Sequence, residues 1–170
     1  MGDSELPKAT LYRFVQTLTN QGMLQYDPDR QTYAPGLRLV RLAHAAWAQS
    51  SLAPVARPHI DALSAETGET VHLAQLDHAQ VLYVDKRNAR DPVEMFSQAG
   101  KVGPAYCTGV GKAMLAFLPD DALARALAQQ SFHGVTAQTL TNEAMMREEL
   151  AAIRARGYAY DREEHEPGII

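Results

Sequence analysis

The spacing of the apolar residues changes at Gly68, and this change limits the folds that the chain can adopt. Before Gly68 most apolar residues recur at helical intervals. After it they alternate with polar residues in 70–76 and 80–84, and the connection 77–79 predicts an antiparallel hairpin. Helical spacing returns further on, without strict strand–helix alternation. This order of elements predicts an α+β fold.

The remaining elements follow from the same spacing and from the positions of glycine and proline. We expect helices at 7–21, 37–49, 55–67, 108–118, 119–129 and 143–156. We expect a first hairpin from 23–26 and 32–34, further strands at 93–96 and 158–162, and a loop at 100–104.

The first predicted helix carries apolar and polar residues on opposite faces. Its polar face contains Lys8 and Arg13 and has no acidic residue, although the helix dipole favours acids in a first turn. A helix followed directly by a hairpin is typical of the second half of a winged helix-turn-helix. The predicted DNA contacts are Lys8, Thr10, Tyr12, Arg13, Gln16, Thr17 and, at the tip of the hairpin, Arg30. The alternative is an ordinary solvated helix face.

The Ala-rich helix predicted at 37–49 has one apolar stripe, which includes Leu37, Val40 and Trp47. Small residues such as Ala43 and Ala46 allow another helix to approach closely. We expect this helix to link two modules and to pack against a second copy of the chain; packing within the chain's own core is the alternative.

Charge is distributed unevenly along the chain. The net charge of −4 disfavours a protein that is basic throughout, but residues 1–50 carry +1 and residues 51–170 carry −5. No apolar run approaches the ~20 residues that span a bilayer, and the acidic N-terminus is unlike a secretory signal. A single cysteine, Cys107, fits a reducing compartment. We therefore expect a soluble cytoplasmic protein with no membrane partner.

The segment from Gly109 to Lys112 superficially resembles a phosphate-binding loop. Tyr106 stands where that motif needs its first glycine, and Ala113 replaces the hydroxyl that binds magnesium, so a nucleotide site is excluded. The start of a helix still offers free backbone amides to an anion such as a carboxylate. Tight packing of a glycine-rich turn is the alternative.

Other reactive side chains give weaker signals. Cys107 lacks a partner at a spacing diagnostic of a nucleophile, and buried packing is the favoured reading. The histidines and acids at 72, 78, 161 and 163–165 lack metal-ligand spacing, so we expect no metal and no cofactor. We expect 163–166 to be a solvated loop. Asp161, just before it, is the better candidate for accepting a hydrogen bond from a ligand hydroxyl.

Three segments, in this order, resemble the IclR family of bacterial transcription regulators. They are Leu6-Pro7-Lys8-Ala9-Thr10-Leu11-Tyr12-Arg13 with the glycines and aromatics that follow it, Gly109-Val110-Gly111-Lys112-Ala113-Met114-Leu115-Ala116, and Arg156-Gly157-Tyr158-Ala159-Tyr160-Asp161 with Glu164 and Gly168. The resemblance covers nearly the whole chain. The family has two further helices before Leu6 and further strands after Ile170, so we expect an incomplete winged helix and a pocket without one wall.

The resemblance implies a DNA-binding regulator of catabolic genes, not an enzyme. It implies a partial winged-helix module at 1–36, a linker helix at 37–51 and a GAF/PAS-like effector domain at 52–170, with an antiparallel sheet flanked by helices. The expected partners are an operator in double-stranded DNA, a small organic acid of aromatic or short-chain type, and a second copy of the chain in a homodimer or a dimer of dimers. The implied pocket residues are Met95, Gly109, Val110, Asp161 and Ile169, and we expect Cys107 to line the pocket with them.

Two alternatives remain at this point. One is a module that senses a ligand or dimerises without binding DNA. The other is a small-molecule enzyme in which Cys107 or Asp161 reacts with the substrate.

Overall fold

A computed structural model describes residues 6–49, 52–91, 95 and 97–170. It divides the chain into two compact units, Met1–Val55 and Ala56–Ile170, called here the N-terminal and C-terminal units. The helices are α1 Lys8–Asn20, α2 Leu37–Gln49, α3 Leu52–Thr67, α4 Gly109–Ala116, α5 Asp120–Leu127 and α6 Glu143–Arg156. The strands are β1 Leu24–Asp27, β2 Thr32–Pro35, β3 Val71–Asp77, β4 Gln80–Arg87 and β5 Val102–Pro104.

Helix α1 forms where the apolar spacing predicts it, but its apolar face is not covered by the described residues. Pro7 precedes its first turn, and Gly22 ends it with a positive φ of 68°. Leu11, Phe14 and Leu18 are 40–55% exposed. Within the described part of the chain, α1 therefore has no buried residue.

The first hairpin returns the chain to the end of α1. Strands β1 and β2 pair antiparallel with Leu24 opposite Pro35, and the Asp27 carboxylate accepts hydrogen bonds from two amides of the turn. Gly36 then donates its amide hydrogen to the Met23 carbonyl at 2.8 Å. A Cβ at Gly36 would lie 2.2 Å from the Gly22 carbonyl oxygen, so only glycine permits this approach.

The C-terminal unit is built on a three-stranded antiparallel sheet in the order β3-β4-β5. The predicted hairpin forms with Asp77 opposite Gln80, and both residues of its turn, His78 and Ala79, have positive φ. The loop predicted at 100–104 is wrong in part, because Val102–Pro104 pairs with β4 as the short strand β5. Its closing proline costs little at the edge of a sheet.

Helix α4 lies at the centre of the C-terminal unit, where it packs on α5, α6, β3 and β4. The α6 limits are those predicted: the Asn142 side chain caps the first turn and Gly157 ends the helix in the left-handed conformation. The buried core includes Val81, Leu115, Leu127, Met146, Leu150 and Ile153. The predicted α+β class, with helices against an antiparallel sheet, is confirmed.

Further differences from the prediction concern β4, α3 and the segment 158–162. Strand β4 continues to Arg87 rather than ending at 84. Helix α3 begins at Leu52 rather than at 55, because Pro54 falls in the first turn, where its missing N–H is no loss. The segment 158–162 is not a strand: Tyr158 and Tyr160 stack edge to face at 5.3 Å and the segment has no ladder partner among the described residues. The strand predicted at 93–96 falls mostly outside the described residues.

Adjacent methionines of α6 offer a matched test of the core. Met146 is 0% exposed and Met145 is 42% exposed. Replacing Met146 by alanine leaves a cavity, and we expect the free energy of unfolding to fall by about 2–5 kcal/mol. Met145→Ala is expected to change it by less than about 0.5 kcal/mol. Urea unfolding measures both; equal losses would contradict the position of α6 in the core.

Candidate functional site

The residues predicted to contact DNA lie in the N-terminal unit, all but one of them on α1. Lys8, Tyr12, Arg13, Gln16 and Thr17 are exposed, and Thr10, at the edge of the face, is half-buried. The hairpin turn carries the exposed Arg30, whose guanidinium lies 3.9 Å from the Asp27 carboxylate. The polar face of α1 thus presents two cations and several hydrogen-bonding groups to solvent without an acidic neighbour on the helix.

A cavity of about 530 Å³ in the C-terminal unit brings together five of the six predicted ligand-binding residues. Met95, Gly109, Val110, Asp161 and Ile169 all line it. They come from the start of α4, from the segment before β5 and from the residues after α6. The volume suits a small organic ligand.

The start of α4 is held by its N-cap. The Thr108 hydroxyl donates to the Pro104 carbonyl at 2.8 Å and accepts from the Gly111 amide at 3.3 Å. A Cβ at Gly111 would lie 2.4 Å from the Ala105 carbonyl oxygen, so the turn into α4 needs glycine there. Among the described residues, the amides of Gly109 and Val110 keep no hydrogen-bond partner, as is usual for a first helical turn.

The cavity is acidic. Four carboxylates line it, and the described lining residues include no lysine or arginine; the carboxylates belong to Glu69, Asp91, Asp161 and Glu166. Burial, with the nearby charges of Asp161 and Glu166, raises the pKa of the lining residue Tyr83 to about 12, so its hydroxyl remains a hydrogen-bond donor. A dianionic ligand would be repelled by this lining.

His72 lines the same cavity as a neutral ring. Burial, and then the charge of Lys86, lower its pKa below the ordinary value of 6.5. Its Nε2 lies 2.8 Å from the Ser97 hydroxyl, which also lines the cavity. This pair adds an uncharged polar patch to the lining of the cavity.

Cys107 does not belong to the cavity lining. Its side chain is fully buried in the core, and burial raises the pKa of the thiol to about 12, with a further contribution from the charge of Asp161. The thiol is therefore protonated at neutral pH and inaccessible, unlike the nucleophile of an enzyme.

The sequence did not predict the buried ion pair between Lys112 and Glu164. Lys112 of α4 is 1% exposed and its ammonium group contacts the carboxylate of Glu164, which is 5% exposed. The prediction that 163–166 is a solvated loop is thus wrong for Glu164, because a buried lysine requires a counter-charge. One signal was available: Lys112 stands three and four positions before Leu115 and Ala116, on the buried side of its helix.

Residues 44–170 match the family described as bacterial transcriptional regulator IclR C-terminal. The chain belongs to the IclR family. Residues 3–28 match the IclR helix-turn-helix domain, so the two family matches fall at opposite ends of the chain. They agree with the resemblance carried by the three sequence segments and with a mixed α+β fold.

Relatives and solved structures of the IclR family extend this match. The chain is 30% identical over 164 residues to the transcriptional regulator KdgR of Dickeya chrysanthemi, covering 96% of this chain and 54% of KdgR. The crystal structure of the Thermotoga maritima IclR superposes with a TM-score of 0.75 at 31% identity, covering 96% of this chain and 66% of that one. This chain therefore spans between half and two thirds of the length of these two family members.

A third member of the IclR family was solved with a ligand. The IclR homologue of Microbacterium hydrocarbonoxydans, in complex with 4-hydroxybenzoate, superposes with a TM-score of 0.75 at 25% identity, covering 95% of this chain and 66% of that one. In the present structure, no three His, Cys, Asp or Glu side chains among the described residues group as a metal site. None of the described helices has the length and apolar character needed to cross a membrane.

The close packing at Gly111 predicts a large effect of a single methyl group. Gly111→Ala places a Cβ against the Ala105 backbone, and we expect it to lower the free energy of unfolding by about 1–3 kcal/mol. Gly134→Ala is the matched control, because its Cβ would meet only a methyl group of Thr141 at an ordinary 3.5 Å. Urea unfolding compares them; equal stabilities would refute the close approach of α4 to residue 105.

The lowered pKa of His72 predicts a pH dependence of stability. The unfolded chain binds the proton first, so stability is lost as the pH falls through the ordinary value of 6.5 towards the lowered one. His72→Gln does not titrate there and keeps a polar group near Ser97. We expect acidification from about pH 7.5 to about pH 5 to reduce the free energy of unfolding more in the unmodified protein than in this variant. Parallel losses would refute the assignment.

Proposed function

We propose that the protein is a DNA-binding transcriptional regulator of the IclR type that controls catabolic genes in response to a small organic acid. In this proposal residues 1–36 contact the operator, residues 37–51 form the linker helix and residues 52–170 bind the effector. The observation that carries it is the exposed, acid-free face of α1 on a chain that also has a small-molecule cavity.

The DNA-binding part rests on charge and position. Lys8 and Arg13 suit phosphates, whereas Tyr12, Gln16 and Thr17 reach phosphates or base edges from the same helix. Thr10 lies at the edge of this face and Arg30 at the turn of the hairpin, the place of the wing in a winged helix. The match to the IclR helix-turn-helix domain supports this assignment.

Removing the two cations of α1 tests DNA binding. The double substitution Lys8→Ala with Arg13→Ala is expected to weaken binding to duplex DNA and to reduce the slope of log affinity against log salt by about one for each lost phosphate contact. Arg125→Ala with Arg147→Ala is the matched control, since it removes two exposed arginines of the C-terminal unit and the same charge. Fluorescence anisotropy at several salt concentrations gives the slopes.

The same measurements test the alternative, a ligand-sensing module that does not bind DNA. If the unmodified protein shows no salt-dependent affinity for duplex DNA, or if both double variants lose the same affinity, the DNA-binding assignment is refuted.

The effector part rests on two kinds of hydrogen-bonding group that line the cavity. The free amides of Gly109 and Val110 suit a carboxylate, and the Asp161 carboxylate suits a hydroxyl donor. The four acidic lining residues disfavour a second carboxylate on the ligand. We therefore favour a hydroxy acid with a single carboxylate, and the 4-hydroxybenzoate bound by an IclR homologue supports this class.

Matched pairs of acids test the ligand class. We expect 4-hydroxybenzoate or lactate to raise the melting temperature, and the corresponding dicarboxylates terephthalate and methylmalonate to leave it unchanged. Asp161→Asn keeps an oxygen that can accept from the Glu164 amide but loses the negative charge. We expect this substitution to reduce the affinity for the acid that raises the melting temperature about tenfold. Asp121→Asn, an exposed acid of α5, is the control. A larger shift with a dicarboxylate would refute the proposed class.

Pairing of two copies would use α2. Leu37 and Val40 are 77% and 64% exposed, and Ala43 and Ala46 are also exposed, whereas the side chain of Trp47 lies outside the described part of the chain. An apolar stripe with small residues suits close packing against the same helix of a second copy. A homodimer, or a dimer of dimers, would then place two DNA-binding helices on one operator.

The enzyme alternative receives no support from the cavity. Cys107 is buried outside it and Asp161 already accepts a hydrogen bond from the Glu164 amide. The relatives KdgR of Dickeya chrysanthemi and IclR of Escherichia coli are transcriptional regulators. We therefore assign Asp161 a role in binding rather than in catalysis.

A further inference from the structure

Lys112 and Glu164 join two walls of the cavity. One wall is the start of α4, with Gly109 and Val110. Another is the segment 161–169, called here the cavity loop, from which Asp161, His165, Glu166 and Ile169 line the cavity. Lys112 follows the first wall by one turn of helix, and Glu164 lies in the middle of the second.

The charges of the pair balance each other inside the protein. Neither side chain is accessible to water, and among the described residues the second carboxylate oxygen of Glu164 has no hydrogen-bond partner. Apolar side chains of similar size would usually stabilise such a site as well or better. An ion pair differs from them in that it fixes one group against the other in direction and distance.

The fixed position of Glu164 is passed on to the ligand-binding end of the cavity loop. The Glu164 amide donates to the Asp161 carboxylate at 3.0 Å, and the Glu164 carbonyl accepts from the Thr139 hydroxyl at 2.7 Å. The Asp161 backbone in turn lies so close to Gly109 that a Cβ there would come within 3.3 Å of the Asp161 nitrogen. These contacts link Glu164, Asp161 and the start of α4 in one continuous chain.

We propose that Lys112 and Glu164 are positioning residues that hold the cavity loop against the start of α4 and so set the distance between Asp161 and the amides of Gly109 and Val110. The role in ligand binding rests on the proposed function, but the closing of the loop does not. Neither residue lines the cavity, so they act on a ligand only through Asp161 and the helix start.

Cys107 provides a reporter for the opening of this loop. It is the chain's single cysteine and is 0% exposed. The charges of Asp161, Glu164 and Lys112 all influence the pKa of its thiol, so the thiol lies within electrostatic range of the ion pair. We therefore expect displacement of the cavity loop to make Cys107 more accessible to a thiol reagent.

The experiment measures the rate at which a chromogenic aromatic disulfide labels Cys107 in the native protein. Glu164→Gln and Lys112→Met each keep the length of the side chain and remove its charge, and we expect each to increase the rate at least about tenfold. The rate should depend only weakly on low urea concentrations, as for a local opening. Asp121→Asn, which breaks an exposed ion pair of α5, should label as slowly as the unmodified protein.

A double variant separates positioning from general stability. Lys112→Met with Glu164→Leu leaves no unpaired buried charge, so we expect it to resist urea about as well as the unmodified protein yet to label faster. The proposal is overturned if the double variant labels as slowly as the unmodified protein, or if the single variants label only in proportion to global unfolding. The assay uses neither DNA nor ligand, so its outcome is independent of the tests of the proposed function.

Discussion

Lys112 of α4 places a positive charge in the core, and this buried charge needs a negatively charged partner. Its partner, Glu164, comes from the segment after α6, and their contact brings the cavity loop to the start of α4. Asp161 lies beside Gly109, and both residues line the cavity. This buried interaction thereby links two walls of the cavity.

The described residues of the N-terminal unit are held together by backbone geometry more than by buried side chains. Two glycines allow the hairpin to close against the end of α1. Gly22 adopts a positive φ, and Gly36 lies so close to the Gly22 carbonyl that a side chain would not fit. Arg38 of α2 strengthens this closure by donating to the Gln21 carbonyl at 3.0 Å. Helix α1, the hairpin and α2 are thus fixed at their junction, while the polar face of α1 stays open to solvent.

Periodicity and capping residues predicted the helices and the central hairpin, because these features depend on neighbours in sequence. Asn142 and Gly157 mark the ends of α6 so clearly that its limits were predicted to the residue. Strand β5 was missed since three residues are too few to show alternation. The segment 158–162 shows alternation but is not a strand. Tyr158 and Tyr160 are exposed, and their rings pack against each other instead of against a neighbouring strand.

The candidate site shows the same division. The resemblance to the IclR family indicated five residues that line one cavity, but Cys107, adjacent to them in sequence, points into the core instead. The Lys112–Glu164 pair joins residues 52 positions apart, and neither spacing nor composition brings them together. Groups that share a helix or a turn can be recognised from their spacing in the sequence. Partners that meet only in the folded core, such as Lys112 and Glu164, cannot.

The acidity of the cavity has a consequence for regulation. A ligand shifts an equilibrium between two arrangements only by the difference in its affinity for them. In the proposed function, attraction to the α4 amides and repulsion from the four carboxylates would act on the same ligand in a cavity of about 530 Å³, so a shift of the cavity loop, which carries Asp161 and Glu166, would change the repulsion relative to the attraction. A cavity that both attracts and repels an acid would therefore discriminate between two loop positions more sharply than a uniformly cationic cavity, which would bind the acid tightly in either position.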